Sequence, residues 1–133
     1  MKQVSAYLLY DINNRILLML RTTDASTHPD YWGFFGGKIE KDETPEMAVK
    51  REAREELGIN LEKIKLFKTY IQEDSYGKQV RYIFIGPLEH QPDKLRDNQS
   101  EGQDLDLFSL EDLKNIKISR NDLDIIKEVV KKI

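Results

Sequence analysis

Three carboxylates, Glu52, Glu55 and Glu56, stand at i, i+3 and i+4, a spacing that puts them on one face of a helix. Helix signals surround them. Thr44 suits the N-cap, Pro45 suits the first helical position, and Gly58 suits the left-handed residue past the last turn, with Ile59 folding back on Ala53. The spacing therefore predicts a helix over 45–57, with Val49, Ala53 and Leu57 as the apolar stripe that docks it on a sheet. The acids work against stability. Like charges at this spacing repel by roughly 0.2–0.5 kcal/mol per pair. Glu55 and Glu56 also lie in the last turn, where the helix dipole disfavours anions. Arg51 offsets Glu55 at i, i+4 but cannot neutralise the group. A hard dication can, because Mg²⁺ takes oxygen ligands, usually a few carboxylates plus water and substrate phosphate. Three acids alone fit a solvated helix face better than a metal site. Gly36-Gly37, a short loop upstream, reverses that balance, since a glycine pair lets backbone approach a metal or phosphate closely.

The elements that must hold this helix are short. Runs at 4–10 and 16–20, separated by Asp11-Ile12-Asn13-Asn14, read as a hairpin. Residues 21–30 are polar and turn-like, and the aromatic run 31–35 stops at the glycine pair. A second strand pair, 64–71 and 80–85, flanks Ser75-Tyr76-Gly77. Residues 86–103 read as one long polar loop, a length that points to function or mobility. A short strand follows at 105–108, and 109–113 reads as a helix start. The C-terminal stretch puts Leu123, Ile126, Val130 and Ile133 on one helical stripe, with Ile125 and Val129 beside it.

With 133 residues, 39% apolar and 34% charged, the chain suits one domain with a real core. A net charge of -3 gives no general affinity for nucleic acid or anionic lipid. No cysteine is present, which excludes disulfides, thiolate metal sites and a cysteine nucleophile. No segment reads as a secretion signal or a membrane span. The expectation is a cytoplasmic protein with a small-molecule partner, no nucleic-acid polymer and no membrane. Oligomeric state has no signal in the sequence.

Gly37, Glu43, Arg51-Glu52-Ala53, Glu55-Glu56 and Gly58-Ile59 resemble, residue for residue and gap for gap, the signature box of the Nudix hydrolases. The box is under a fifth of the chain, but Trp32-Gly33-Phe34 and the overall layout are also similar. Phe35 stands where relatives commonly have proline, and Ala53 is small for its apolar slot. The resemblance implies an α+β fold, a Nudix-type α/β/α sandwich with a mixed β-sheet, as a single domain over 1–133. It also implies water attack on a diphosphate phosphorus with Mg²⁺ as cofactor, Mn²⁺ substituting. Glu52, Glu55 and Glu56 become metal ligands with the Gly36 carbonyl. Arg51 orients the glutamates, Glu43 braces the loop against the helix, and Lys38 meets a phosphate or stays a solvated lysine.

Ser100-Glu101-Gly102-Gln103 resembles the Glu-Gly-Gln loop of the antimutator diphosphatases, which act on oxidised guanine nucleoside triphosphates. It implies a metal or base role for Glu101, against the alternative of a solvated loop acid. Asn121 resembles the asparagine that reads the purine edge there, and an amide offers both donor and acceptor; a plain N-cap is the alternative. Arg21 either reaches the nucleotide or stays on the surface. Trp32, Phe34 or Phe35 either stacks on a base or fills the core. Isopentenyl diphosphate isomerases need a cysteine, and ADP-ribose hydrolases a proline where Ser75 stands. Tyr76 has a spacing that resembles the tyrosine of diadenosine polyphosphate hydrolases, against the alternative of a half-exposed turn residue, so dinucleoside polyphosphates stay the next substrate class, with nucleotide sugars beside them. A non-catalytic nucleotide-binding module is the reading from another class, and the intact acids of the box speak against it.

Overall fold

The computed structural model describes residues 1–133. Its strands are β1 (Lys2–Tyr10), β2 (Ile16–Leu20), β3 (Trp32–Gly33), β4 (Phe35–Lys38), β5 (Lys65–Asp74), β6 (Gly77–Pro87) and β7 (Asp104–Phe108). Its helices are α1 (Pro45–Leu57), α2 (Pro92–Asn98) and α3 (Arg120–Lys132). The sheet order is β3-β2-β1-β6-β5, with β4 joined to β1 and β7 to β2. β1 runs parallel to β6 and antiparallel to β4, so the sheet is mixed.

Central strands buried on both faces are apolar on both faces, and β1 shows why the molecule has three layers. Tyr7 and Leu9 join Val49, Ala53 and Leu57 of α1 in one core. Ala6 and Leu8 join Ile125, Ile126 and Val129 of α3 in the other. β2 divides the same way, Leu17 and Met19 to the α1 side, Ile16 and Leu18 to the α3 side. The α/β/α sandwich follows from this alternation.

Three expectations are corrected. β1 and β2 are not a full hairpin, since they pair only at Tyr10 and Ile16. The Asp11 side chain accepts from the backbone N–H of Asn13 and Arg15, closing a turn that splays the strands. β1 then pairs with β4 and β6, and β2 with β7 and β3. The segment 86–103 is not one loop, because it contains α2. Only Leu95 of that helix is buried, so there is no apolar periodicity to read. The expected stripe on α3 is present, with Ile125, Ile126 and Val129 innermost. Its N-cap is Ser119, so Asn121 is free of that duty. The helix start at 109–113 becomes a 3-10 turn over Asp112–Asn115.

Candidate active site

α1 forms as its signals dictate. The Thr44 side chain accepts from the Met47 N–H, Pro45 opens the helix, and Gly58 closes it at φ 67°. Turned toward the sheet with the apolar stripe are Glu52 and Glu56, 8% and 1% exposed. Burying two carboxylates needs compensation, and the sheet supplies part of it. The Tyr7 hydroxyl donates to Glu56 Oε1 at 3.1 Å, and the Gly36 N–H donates to Oε2 at 3.4 Å.

The glycine pair lies inside β4, opposite Ser5 and Ala6 of β1, and both members are required by space. A Cβ at Gly36 would sit 2.2 Å from the Ser5 carbonyl oxygen, and one at Gly37 would sit 2.4 Å from Glu52 Oε1. The Glu52 carboxylate therefore occupies the room a side chain would take.

Arg51 braces this arrangement. Its Nε donates to Glu43 at 2.7 Å, Nη1 to Glu52 at 2.9 Å and Glu55 at 3.2 Å, and Nη2 to the Lys38 carbonyl at 3.1 Å. One guanidinium fork thus ties the end of β4, the loop before α1 and the carboxylate face together. The Arg51 hydrogen bonds, with the Glu40 N–H, hold Glu43 below the usual carboxylate range.

Glu101 comes from the segment after α2. The Ser100 N–H donates to the Glu56 carbonyl at 3.0 Å and its hydroxyl to the Glu55 carbonyl at 2.6 Å. Ser100 thus satisfies carbonyls at the end of α1 that the helix leaves open and sets Glu101 over the cluster. On the far side, Gln103 donates from its backbone to Leu20 and from its amide to the Arg21 carbonyl and Asp30. Glu52, Glu56 and Glu101 each bring a carboxylate oxygen to within 4.8 Å of the others. Glu55 is outside this group; its side chain is 58% exposed and bonded to Arg51.

Three acids this close cannot all stay ionised unaided. Burial, then the hydrogen bond and charge of Glu101 and the charge of Glu52, push Glu56 up to about 9. Burial also raises Glu52, against the opposing pull of Arg51. Tyr7 is raised well above its ordinary value by burial and by the charge of Glu56. A site of hard oxygen donors that must keep a proton for lack of positive charge fits Mg²⁺ or Mn²⁺.

Beyond the glycine strand lies a cavity of about 290 Å³. Arg21, Phe34, Lys38 and Asn121, the expected substrate-binding residues, all line it, as does Trp32. Arg21 is held by Thr27, through its carbonyl at 2.8 Å and its hydroxyl at 2.9 Å. Phe35 is 1% exposed and stacks on Tyr7 at 5.7 Å, so it fills core volume.

Three lining or supporting residues escaped the sequence reading. Tyr7 reads there only as a strand aromatic. Arg81 and Asp122 form a buried ion pair at 2.6 Å, with the Arg81 guanidinium 4.8 Å from the Phe34 ring centre. Ser119 and Asp122 have capping-box spacing. That signal locates the helix start, yet the Asp122 side chain turns to Arg81 across the sheet.

A sequence profile described as NUDIX domain matches residues 1–129. The 8-oxo-dGTP diphosphatase of Escherichia coli (strain K12) is 41% identical over 66 residues, half of this chain and half of that protein. The 8-oxo-dGTP diphosphatase of Proteus vulgaris is 36% identical over 82 residues, 62% of this chain and 71% of that one. Among solved structures, the MutT NUDIX hydrolase from Burkholderia pseudomallei superposes with a TM-score of 0.77 at 25% identity, over 96% of this chain and 97% of that one. The match to the Escherichia coli protein spans only half its length, but the profile covers nearly all of this chain, and the chain belongs to the NUDIX domain family.

Proposed function

We infer that the chain is a single-domain, Mg²⁺-dependent nucleotide diphosphatase of the cytoplasm, active with Mn²⁺ as well. Its substrate is a purine nucleoside triphosphate, an oxidised guanine form foremost, and its products are a nucleoside monophosphate and pyrophosphate. One observation carries this: the convergence of Glu52, Glu56 and Glu101 beside a cavity with which it shares the Gly36-Gly37 strand. The names of the Escherichia coli and Proteus vulgaris relatives support the substrate.

In this reading the carboxylates of Glu52, Glu56 and Glu101 would hold the cation, with the Gly36 backbone beside them and Glu55, bonded to Arg51, next to the group. When bound, the cation would supply charge neutralisation at the phosphates and a more acidic water. Arg51 fixes Glu52 and the loop. Glu101, on a segment rather than a helix, would take the proton of the attacking water in this reading. The water oxygen would bond to one phosphorus of the diphosphate bridge, the bridging P–O bond would break, and its electron pair would leave on the phosphate oxygen of the other product. Lys38 at the cavity rim meets the phosphate chain. Phosphoryl transfer asks mainly for positioning and charge balance, which this arrangement provides. Phe34 and Trp32 flank the base, Asn121 reads its edge, and Arg21 lines the sugar end.

The test is product analysis on a panel of nucleoside triphosphates, dinucleoside polyphosphates and nucleotide sugars, with Mg²⁺, with Mn²⁺ and with chelator. Heavy-oxygen water should label a phosphate product. Metal-independent turnover, or label on a sugar carbon, rejects the mechanism. A second reading rests on Tyr76. Its ring lies 4.6 Å from His28, and both line a second cavity of about 430 Å³ that shares Asn121 with the first. That cavity has room for the second base of a dinucleoside polyphosphate. The panel decides between the two.

A further inference from the structure

β5 ends the sheet. Its one strand partner is β6, so one edge of a strand spanning Lys65–Asp74 faces no other strand; the Glu73 carbonyl accepts from the Asn121 amide at 3.5 Å. Most of its residues are exposed on their side chains as well. Leu66 is 50% exposed and Ile71 65%. A register shift between Leu66 and Lys68 marks a bulge; bulges interrupt ladder pairing on the strand that carries them. Regular strand is left over 68–74.

That stretch has a symmetry of its own. Ile71 is its middle residue, Lys68 its basic end and Asp74 its acidic end, with Glu73 beside it. Residues opposite one another in an antiparallel pair must both turn their backbone groups toward the partner or both away. A strand paired with its own copy over 68–74 meets this rule with Ile71 opposite Ile71. Lys68 of each copy then faces Asp74 of the other, on the same face of the sheet. Opposite charges directly across a pair stabilise it, and two apolar side chains meet on the axis. A parallel pairing in register would instead set Lys68 on Lys68 and Asp74 on Asp74. The charge order of the strand therefore favours antiparallel over parallel self-pairing.

We propose that β5 is a self-association edge: two copies of this chain pair antiparallel through residues 68–74, with Ile71 on the two-fold axis, to make one continuous sheet. The contact is isologous, as a two-fold dimer requires. It also bears on the cavity. Asp74 at the end of β5 lies 3.4 Å from His28 Nε2, and both line the cavity mouth, so pairing braces that wall from outside.

The experiment is sedimentation equilibrium on the full chain from micromolar to millimolar concentration. The wild type is expected to dimerise. Ile71→Lys sets two like charges on the axis and should weaken association by roughly 100-fold or more, while far-UV circular dichroism and Tm stay those of a folded chain. A second measurement uses the absence of native cysteine. Ile71→Cys should cross-link to a covalent dimer with a short bis-thiol reagent, whereas a cysteine at Ile12, 97% exposed on a distant turn, should not. A wild type that stays monomeric at all concentrations overturns the proposal. So does a dimer that Ile71→Lys leaves intact, since its interface then lies elsewhere.

Discussion

Replacing Glu56 with glutamine should stabilise the metal-free protein and remove its response to Mg²⁺. Glu56 is almost fully buried and is pushed up to about 9 by burial, then by Glu101 and Glu52. In the unfolded chain it is an ordinary carboxyl near 4.5. The folded state therefore keeps a proton that the unfolded state releases. The stability this gives is complete below about pH 4.5 and is lost as pH climbs toward about 9. Each pH unit in that window costs about 1.4 kcal/mol. Glutamine has no proton to lose, and its carbonyl still accepts from Tyr7. Between pH 6 and pH 8 the metal-free wild type should thus fall behind Glu56→Gln by about 3 kcal/mol, on the order of 10 °C in Tm for a chain of this size. Mg²⁺ at a hundred times its Kd should restore about 2.7 kcal/mol to the wild type and far less to the variant. The assay is thermal unfolding by circular dichroism at pH 6, 7 and 8, with Mg²⁺ and with chelator. A wild-type-to-variant gap that does not widen with pH refutes the burial argument. Equal stabilisation of both proteins by Mg²⁺ refutes the ligand assignment.

Three further outcomes follow from the geometry. Gly37→Ala puts a methyl where Glu52 Oε1 now lies, 2.4 Å away; calorimetric Mg²⁺ affinity should drop by roughly tenfold or more with secondary structure intact, and unchanged affinity means Glu52 is no ligand. Glu101→Gln keeps the shape of an exposed loop residue, so Tm should hold while kcat falls by roughly 100-fold, and full turnover removes Glu101 from the reaction. Asn121→Ala should lower kcat/KM for the best purine substrate by roughly 5- to 150-fold through the unpaired base edge, and a silent variant moves attention to Tyr76.

The capped acidic helix was legible because it is a local pattern. Periodicity and cap residues are written in consecutive positions, and Thr44, Pro45 and Gly58 hold the places their chemistry suggests. The β1–β2 pairing was misread because adjacency in sequence favours a hairpin, while a central strand is claimed by partners far away, β4 and β6. α2 was missed because a helix held by a single buried leucine and by Arg96, which donates to Asp104 and the Leu105 carbonyl, carries no stripe to detect.

The site divides along the same line. Glu52 and Glu56 point inward because they share a helix face with Val49 and Ala53, which is periodicity again. Their separation from Glu55 is not, because the helical spacing that groups the three acids does not say where the sheet ends beneath them. The sheet reaches Glu52 and Glu56 through Gly37, Tyr7 and Gly36 and leaves Glu55 to Arg51 and solvent. The third member of the cluster is instead Glu101, brought in by Ser100, whose two hydrogen bonds to the end of α1 join positions 45 and 44 residues apart. Such a contact satisfies backbone carbonyls, and every residue type has those, so nothing in the composition of α1 announces it. The serine beside Glu101 thereby does structural work for the cluster: a helix end needing hydrogen bonds is what draws this acid to the other two.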